Sequence, residues 1–254
     1  RARRLIEAAA GAGFDAVKVQ CFDPDKMFRP GTVTTAKHFP CPVGWLPELA
    51  ELSHSFGMEF GATVCNLEMI EAVAKHCDYL KVGSYELLCH DLIRACCQTD
   101  KPFRLSTGMA TLAEIQSAFD IAQNAWANDL ILFHCVSIYP CPIEKANLKR
   151  IDVLRRIWNE VGYSDHTASS EVIMRAVFRW GAEVIETHFD LSDGGGAEAR
   201  HSLDEESAKY AIEECKGFES EMDGDGSDCP SIEEQAERKW RASPEDDMRP
   251  EKWT

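Results

Sequence analysis

Short apolar runs alternate with amphipathic stretches along most of this 254-residue chain. Seven runs of five or six residues are rich in Val, Ile, Leu, Phe and Tyr, as is typical of parallel strands covered on both faces. The predicted strands are Ala16–Gln20, Glu59–Val64, Tyr79–Gly83, Phe103–Thr107, Leu130–Cys135, Val161–His166 and Val184–Phe189.

Helical patterns fill the intervals between these runs. Thr111-Leu-Ala-Glu114 has the spacing of a capping box and precedes apolar positions on one helical face. Ala168–Trp180 shows the same periodicity, and Ser202-Leu-Asp-Glu205 is predicted to cap the helix that ends near Cys215. Regular alternation of strand and helix predicts an α/β protein with a parallel sheet.

The predicted fold is a (β/α)8 barrel. Such a barrel has eight strands, whereas this chain begins on a helix and shows seven, so the first strand is expected upstream of Arg1. An open doubly wound sheet is the alternative. The barrel is favoured because polar residues recur at the carboxyl ends of nearly all the strands, whereas an open sheet would gather them at one crevice.

Two histidines stand out among those polar residues. His166 closes Val-Gly-Tyr-Ser-Asp-His, and His188 lies in Val-Ile-Glu-Thr-His-Phe-Asp. Either imidazole alone can equally be a metal ligand or a plain hydrogen-bonding group at the end of a strand. Two of them on neighbouring strands favour a divalent metal site.

Lysines and hydroxyls share the same predicted face. Lys18 and Lys81 provide charge, and serines after several strands provide directed donors, which together favour a pocket for a phosphate or carboxylate. A lysine can also extend to solvent and a serine can cap a helix, so the inference rests on convergence.

Composition excludes several classes of protein. The formal charge of −16 argues against a nucleic-acid-binding protein, and no apolar run is long enough for a membrane span. No signal peptide is recognised, and eleven scattered cysteines without a CxxC pair are expected to be reduced thiols. A cytoplasmic protein is therefore expected.

The two ends of the chain differ in character. Residues 1–218 are predicted to form the barrel and 219–254 an acidic linker and C-terminal arm, since the latter hold 12 acidic against 5 basic residues. The loop over residues 22–45 is long enough to be functional or mobile.

Six motifs occur in an order that resembles the sialic acid synthase family, which includes the legionaminate and pseudaminate synthases. The motifs are Asp15-Ala-Val-Lys-Val-Gln20, Leu80-Lys-Val-Gly-Ser-Tyr-Glu86, Leu105-Ser-Thr-Gly-Met109, Phe133-His-Cys-Val-Ser-Ile-Tyr-Pro140, Gly162-Tyr-Ser-Asp-His-Thr167 and Ile185-Glu-Thr-His-Phe189. The resemblance covers roughly residues 1–215 and also implies a (β/α)8 barrel.

The resemblance implies a metal-dependent condensation. Phosphoenolpyruvate would join the open-chain aldehyde of an N-acyl hexosamine, such as N-acetylmannosamine, to give a sialic-type acid and phosphate. It implies Mn²⁺ or Mg²⁺ as cofactor, held by His166 and His188, and is compatible with a homodimer. By the same resemblance the catalytic residues are Lys18, Lys81, Glu86 and Tyr139. The substrate-binding residues are Gln20, Ser84, Ser106, Met109, Ser137, Ser164 and Glu198.

The chain also departs from the family pattern. Where the family has Gly-Pro-Asp-His, this chain has Gly196-Ala-Glu-Ala199, which leaves the acceptor sugar open. No C-terminal antifreeze-like domain is recognised, and the family's first strand with its Glu and Asn-His is not in the sequence.

Two other functions stay open at this point. A Schiff-base aldolase would use Lys81 as its nucleophile. A barrel that binds phosphoenolpyruvate without turnover is the non-enzymatic alternative.

Overall fold

A computed structural model describes residues 1–29, 31, 40–196 and 198–221, with side chains up to residue 217. Its first compact unit is Arg1–Cys215. The strands of this unit are β1 Ala16–Cys21, β2 Glu59–Val64, β3 Tyr79–Val82, β4 Pro102–Ser106, β5 Asn128–Cys135, β6 Val161–Asp165, β7 Ile185–Phe189 and β8 Ser202–Leu203. All seven predicted strands are confirmed, with ends that differ by at most two residues.

The sheet follows the order of the chain from β1 to β8, and every neighbouring pair is parallel. A doubly wound sheet reverses its strand order at a switch point, and this sheet does not. The barrel-type α/β fold is therefore confirmed. A further strand before Arg1 stays a prediction.

The short strand β8 corrects one prediction. Ser202 does not cap the following helix. It lies in β8, where it pairs with His188 of β7, and its hydroxyl donates to the carbonyl of Glu198 at 2.9 Å. Asp204 takes the capping role, since its carboxylate accepts from the amide of Ser207 at 2.9 Å. The Ser-x-x-Glu pattern placed the N-cap two residues too early. Aspartate is as favourable as serine at an N-cap, and Asp204 is the residue directly before the helix.

Helices separate the strands. The α-helices of the described residues are α1 Ala2–Ala12, α2 Pro24–Met27, α3 Leu46–Ser55, α4 Ile70–Ala74, α5 His90–Cys97, α6 Leu112–Asn124, α7 Arg150–Leu154, α8 Ser170–Trp180 and α9 Glu205–Glu221. Thr111 and Glu114 form the predicted capping box of α6. Ser169 caps α8 by accepting from the amide of Val172.

The core lies between the sheet and its helices. Strand residues such as Phe60, Leu80, Leu105 and Leu132 are fully buried, which confirms the two-sided covering of the central strands. The predicted burial on both faces is wrong for β7, which is half-buried throughout, and for most of β1. Each of these strands has a full-length neighbour on one side only.

Gly61 marks the tightest packing of β2 against its neighbour. A methyl group added there would overlap the ring of Tyr79 in β3. We expect Gly61→Ala to lower the free energy of unfolding by about 1–3 kcal/mol, because an overpacked core must shift. Urea denaturation measures this loss.

Gly11→Ala in α1 is the matched control. Nothing lies within 4 Å of its added carbon, and the substitution sits in a helix, so a neutral or slightly stabilising effect is expected. Equal effects of the two substitutions would contradict the close contact between Gly61 and Tyr79.

The remaining predictions meet the structure only in part. Among the described residues no helix is both long and apolar enough to cross a membrane. Ten of the eleven cysteines are described, and none of these ten forms a disulfide bond. Residue 30 and residues 32–39 of the long loop, and residues 222–254 of the predicted arm, lie outside the described residues, so the proposed boundary at 218/219 stays a prediction.

Candidate active site

The carboxyl ends of the strands gather the predicted site residues. Six of them lie within strands: Lys18, Gln20, Lys81, Ser106, Ser164 and His188. Six more follow a strand end by one to four residues: Ser84, Glu86, Met109, Ser137, Tyr139 and His166. Glu198 lies between β7 and β8. In a parallel barrel these ends form one face, which is where barrel active sites lie. Most of the predicted site residues lie at or just beyond these ends, and they differ in their exposure. Their functional roles stay predictions.

Two lysines share one carboxylate at the centre of this face. Lys81 in β3 forms an ion pair with Glu186 in β7, and Lys81 is only 5% exposed at its side chain. Lys18 in β1 donates to the hydroxyl of Thr63 at 2.9 Å and lies 3.8 Å from Glu186. Ser164 donates to the same carboxylate at 2.8 Å. Two positive charges and one negative charge leave an excess of one positive charge.

Burial and charge oppose each other in this group. Burial lowers the pKa of Lys81 below its ordinary value, although Glu186 acts in the opposite direction. Burial raises the pKa of Glu186, but the two nearby lysines outweigh it and hold this pKa well below its ordinary value. Glu186 is therefore a carboxylate, and it stabilises the charged form of Lys81.

Hydroxyl groups form a second group around Gly108. The amide of Gly108 donates to the hydroxyl of Ser84 at 3.0 Å, and the same hydroxyl lies 3.1 Å from Cys135 Sγ. A Cβ at Gly108 would lie only 2.9 Å from both Ser84 Oγ and Cys135 Sγ, and would also overlap the hydroxyl of Ser137. Only glycine fits at this position without a steric clash.

The hydroxyl of Ser137 is buried without a hydrogen-bond partner within the described residues. Buried polar groups are nearly always paired, so an unpaired hydroxyl in a cleft indicates a ligand or water. An oxyanion would accept from Ser137 and complete the pairing.

Three imidazoles surround the ring of Tyr139. The ring centroids of His166, His188 and His201 lie 4.3, 6.1 and 5.2 Å from that of Tyr139. His166 Nδ1 donates to the carbonyl of Val136 at 2.7 Å, which leaves Nε2 as the ligand atom. Burial lowers the pKa of His166 to about 4, so the imidazole is neutral, as metal binding requires.

His188 forms its hydrogen bond with a carboxylate and not with His166. Its Nδ1 lies 2.8 Å from Glu198 Oε2, and this hydrogen bond lowers the pKa of Glu198. The His166 and His188 ring centroids are 5.4 Å apart, whereas those of His188 and His201 are 4.6 Å apart. The ligand atoms of His188, Glu198 and His201 all lie within 4.8 Å of one another.

The other predicted residues differ in their exposure. Gln20 is exposed at the end of β1, and Met109 is 60% exposed on a left-handed backbone at φ 63°. Ser106 is buried at the end of β4. Glu86 lies in the short 3-10 turn Ser84–Glu86, and burial raises its pKa.

The sequence analysis identified neither the partners of Glu186 nor His201. Glu186 is visible at a strand end, but nothing in the sequence shows that Lys81 and Lys18 meet it. His201 lies in the 3-10 turn Ala199–His201, away from the regular strand ends. The one available signal is its spacing: His201 follows Glu198 by three residues, as helical ligand pairs do.

Comparisons with known proteins agree on one family. A profile of the NeuB family matches residues 5–227. The chain is 32% identical to an uncharacterized protein of Methanocaldococcus jannaschii, over 90% of this chain and 68% of that protein. It is 31% identical to the N,N'-diacetyllegionaminic acid synthase of Legionella pneumophila, over 92% and 71%. It is 32% identical to the pseudaminic acid synthase of Helicobacter pylori, over 75% and 61%.

Solved structures also resemble this chain. The N-acetylneuraminic acid synthetase of Leptospira borgpetersenii, crystallised with citrate, superposes with a TM-score of 0.83 at 27% identity, over 96% of this chain and 87% of that one. A truncated 3-deoxy-D-arabino-heptulosonate 7-phosphate synthase of Thermotoga maritima, at 16% identity and a TM-score of 0.69, shares the fold. The chain spans 61–71% of the length of the three curated relatives named above.

Proposed function

Because the chain belongs to the NeuB family, we propose that it condenses phosphoenolpyruvate with the aldehyde of an N-acyl hexosamine. A carbon–carbon bond forms between C3 of phosphoenolpyruvate and the aldehyde carbon, whose oxygen takes up a proton. Water adds its oxygen at C2, and the bond from C2 to the phosphate oxygen breaks. The products are a nonulosonic acid and inorganic phosphate.

The observation that carries this proposal is the pair of lysines around one carboxylate. Phosphoenolpyruvate brings a phosphate and a carboxylate, and Lys18 and Lys81 offer an excess positive charge in a buried setting. Coulombic attraction is stronger there than in water. Lys18 is the freer of the two, because Lys81 is held by Glu186.

The hydroxyl groups would orient the same substrate by donating hydrogen bonds to it. Ser84 and Ser137 lie against Gly108, and the hydroxyl of Ser137, which has no partner among the described residues, is available to an anion. Ser106, Ser164 and Gln20 lie at the ends of β4, β6 and β1 and complete the proposed binding set. Neutral donors fix the orientation of an anion that the lysines attract.

The sugar is proposed to bind nearer the rim. Tyr139, Met109 and Glu198 are all at least 42% exposed, as residues that contact a polar acceptor from solvent would be. Glu86 has a raised pKa because it is buried, so it can hold a proton closer to neutral pH than an ordinary glutamate does. We assign Glu86 and Tyr139 to the reacting end of the sugar.

The imidazoles fit a divalent ion. His166 is neutral and presents Nε2, and His188 lies beside it, so this pair is proposed to hold Mn²⁺ or Mg²⁺. When bound, the ion polarises the aldehyde oxygen as a Lewis acid. The protein's own part is to orient the rings, which the carbonyl of Val136 does for His166.

Phosphate release tests the proposal. Purified full-length protein, supplied with Mn²⁺, phosphoenolpyruvate and a panel of N-acyl hexosamines, is expected to release phosphate with at least one sugar and not without sugar. Omission of each component is the control. No release with any sugar contradicts the proposal, and tight phosphoenolpyruvate binding without turnover instead supports the non-catalytic barrel.

A Schiff-base aldolase has one observation in its favour. Burial lowers the pKa of Lys81, which would favour the free amine that such chemistry needs. The ion pair with Glu186 opposes this, because it holds the ammonium form. Borohydride treatment with pyruvate or an aldehyde is expected to trap no adduct on Lys81, and a trapped adduct would support the aldolase instead.

A further inference from the structure

Asp190 is a buried carboxylate directly after β7, and it is only 6% exposed. It accepts hydrogen bonds from the amide of Leu191 at 2.9 Å and from the amide of Gly196 at 2.8 Å, and it forms an ion pair with Arg1. A buried charge is tolerated only when it is paired and hydrogen-bonded. Asp190 meets this condition by joining the β7–β8 connection to the residue before α1.

The connection from β7 to β8 is fastened at its ends and in its middle. The amide of Asp190 donates to the carbonyl of Leu203 in β8 at 2.9 Å, so the two ends of the connection lie side by side. Asp193 accepts from the amide of Gly195 at 3.1 Å and pairs with Arg1 at 2.9 Å. Compact loops whose ends meet in this way are frequently functional.

Gly196 brings the backbone of this connection against the carboxylate of Asp190. A Cβ added at Gly196 would overlap that carboxylate, so the close approach requires glycine. Glu198 follows two residues later, and its Oε2 lies 2.8 Å from His188 Nδ1. The hold on Gly196 therefore acts just before the residue that extends towards the active-site face.

We propose that Asp190 is a positioning residue for the acceptor sugar. It fixes the backbone at Gly196, and this backbone in turn presents the carboxylate of Glu198 to the sugar. Asp190 acts through Glu198 and does not itself contact the substrate. The proposal rests on the proposed function, which assigns Glu198 to the sugar.

Asp190→Asn tests the proposal, because an amide keeps the shape of the side chain but has one acceptor oxygen in place of two. We expect KM for the sugar to rise roughly 10-fold to 100-fold, since a displacement of about 1 Å caused by a distant change can cost that much. Phosphate release at saturating phosphoenolpyruvate measures KM. The affinity for phosphoenolpyruvate alone, measured by calorimetry, is expected to stay at the parent value, which a general loss of structure would not allow.

Asp152→Asn is the matched control. It makes the same chemical change at an exposed residue of α7 that pairs with Arg155, and it should alter neither quantity. Gly196→Ala breaks the same contact from the other side and should reproduce the sugar defect, whereas Gly11→Ala should not. Circular dichroism shows that each variant is folded. An unchanged sugar KM in folded Asp190→Asn and Gly196→Ala proteins would overturn the proposal.

A double-variant cycle separates positioning from plain stabilisation. Residues that act as one unit give effects that do not add. Glu198→Gln is expected to weaken sugar binding, and adding Asp190→Asn to it should weaken binding no further. Additive losses, or a Glu198→Gln protein with the sugar KM of the parent, would show that Asp190 does not act through Glu198.

This proposal and the proposed function fail in different ways, because calorimetry with the sugar in the presence of phosphoenolpyruvate measures binding without turnover. Sugar binding that requires Asp190, without phosphate release, leaves the positioning role standing and removes the synthase function. Phosphate release with a sugar KM that ignores Asp190 does the opposite. A parent protein that neither binds nor converts any sugar removes both.

Discussion

Glu186→Gln is expected to lower the free energy of unfolding by about 3–5 kcal/mol, because it leaves Lys81 buried without its counter-charge. The Lys81 ammonium is almost fully removed from solvent and forms an ion pair with Glu186. A glutamine amide keeps the shape of the side chain but cannot offset that charge. Urea denaturation at neutral pH measures the loss.

Two controls isolate the ion pair. Glu183→Gln makes the same chemical change at an exposed position two residues before β7, and its effect should stay within about 0.5 kcal/mol. The double variant Lys81→Met with Glu186→Gln should recover much of the loss, since neither charge then remains buried. Similar losses for Glu186→Gln and Glu183→Gln would show that the ion pair does not stabilise the fold.

The same carboxylate predicts a dependence on pH. The lysines hold the pKa of Glu186 below its ordinary value, so on acidification the unfolded chain takes up this proton first and stability falls. The difference between parent and Glu186→Gln is expected to be complete above about pH 5. It should shrink as pH falls below the ordinary glutamate pKa of about 4.3. Denaturation at a series of acid pH values measures this difference in stability. A difference that grows as the pH falls would contradict the lowered pKa of Glu186.

Lys18→Met is expected to reduce kcat/KM for phosphoenolpyruvate roughly 30-fold to 5,000-fold, mainly through KM. Truncating one charged partner of a desolvated contact costs about 2–5 kcal/mol, which converts to that range. The fold should lose little, because Glu186 keeps its closer partner Lys81 when Lys18 is removed. Lys18 therefore separates substrate binding from stability, which Lys81 cannot do.

Calorimetry with phosphoenolpyruvate alone and steady-state phosphate release measure the two consequences. Lys75→Met is the matched control, since Lys75 is an exposed residue that pairs with Glu71 on a helix surface. It should change neither quantity. An unaltered phosphoenolpyruvate affinity in Lys18→Met would remove Lys18 from the proposed anion site.

The strands were predictable because parallel strands buried on both faces leave continuous apolar runs in the sequence. Phe60 in β2 and Leu132 in β5 belong to such runs, and both are fully buried. The half-burial of β7 was not predictable from composition, since Ile185 and Phe189 are as apolar as core residues. Their exposure depends on which strands pair with β7, and that is a property of the tertiary structure.

The site was predictable by residue type and strand position, but not by partner. Lys18 and His188 were found because lysine and histidine are uncommon at the ends of apolar strands. The ion pair of Lys81 joins residues far apart in sequence, and His201 lies in a turn without periodicity. Local patterns carry no information on such contacts, because only the assembled sheet creates them.

The link between Lys81 and Glu186 spans 105 residues of chain and joins β3 to β7. Contacts of such long range form only when the intervening strands are in place, because the entropy of closing the chain must first be offset. An anion that binds these lysines therefore recognises the assembled barrel and not its fragments. Ligand occupancy and global folding then behave as one cooperative unit, in which a ligand at a hundred times its Kd adds about 2.7 kcal/mol to the stability of the whole unit.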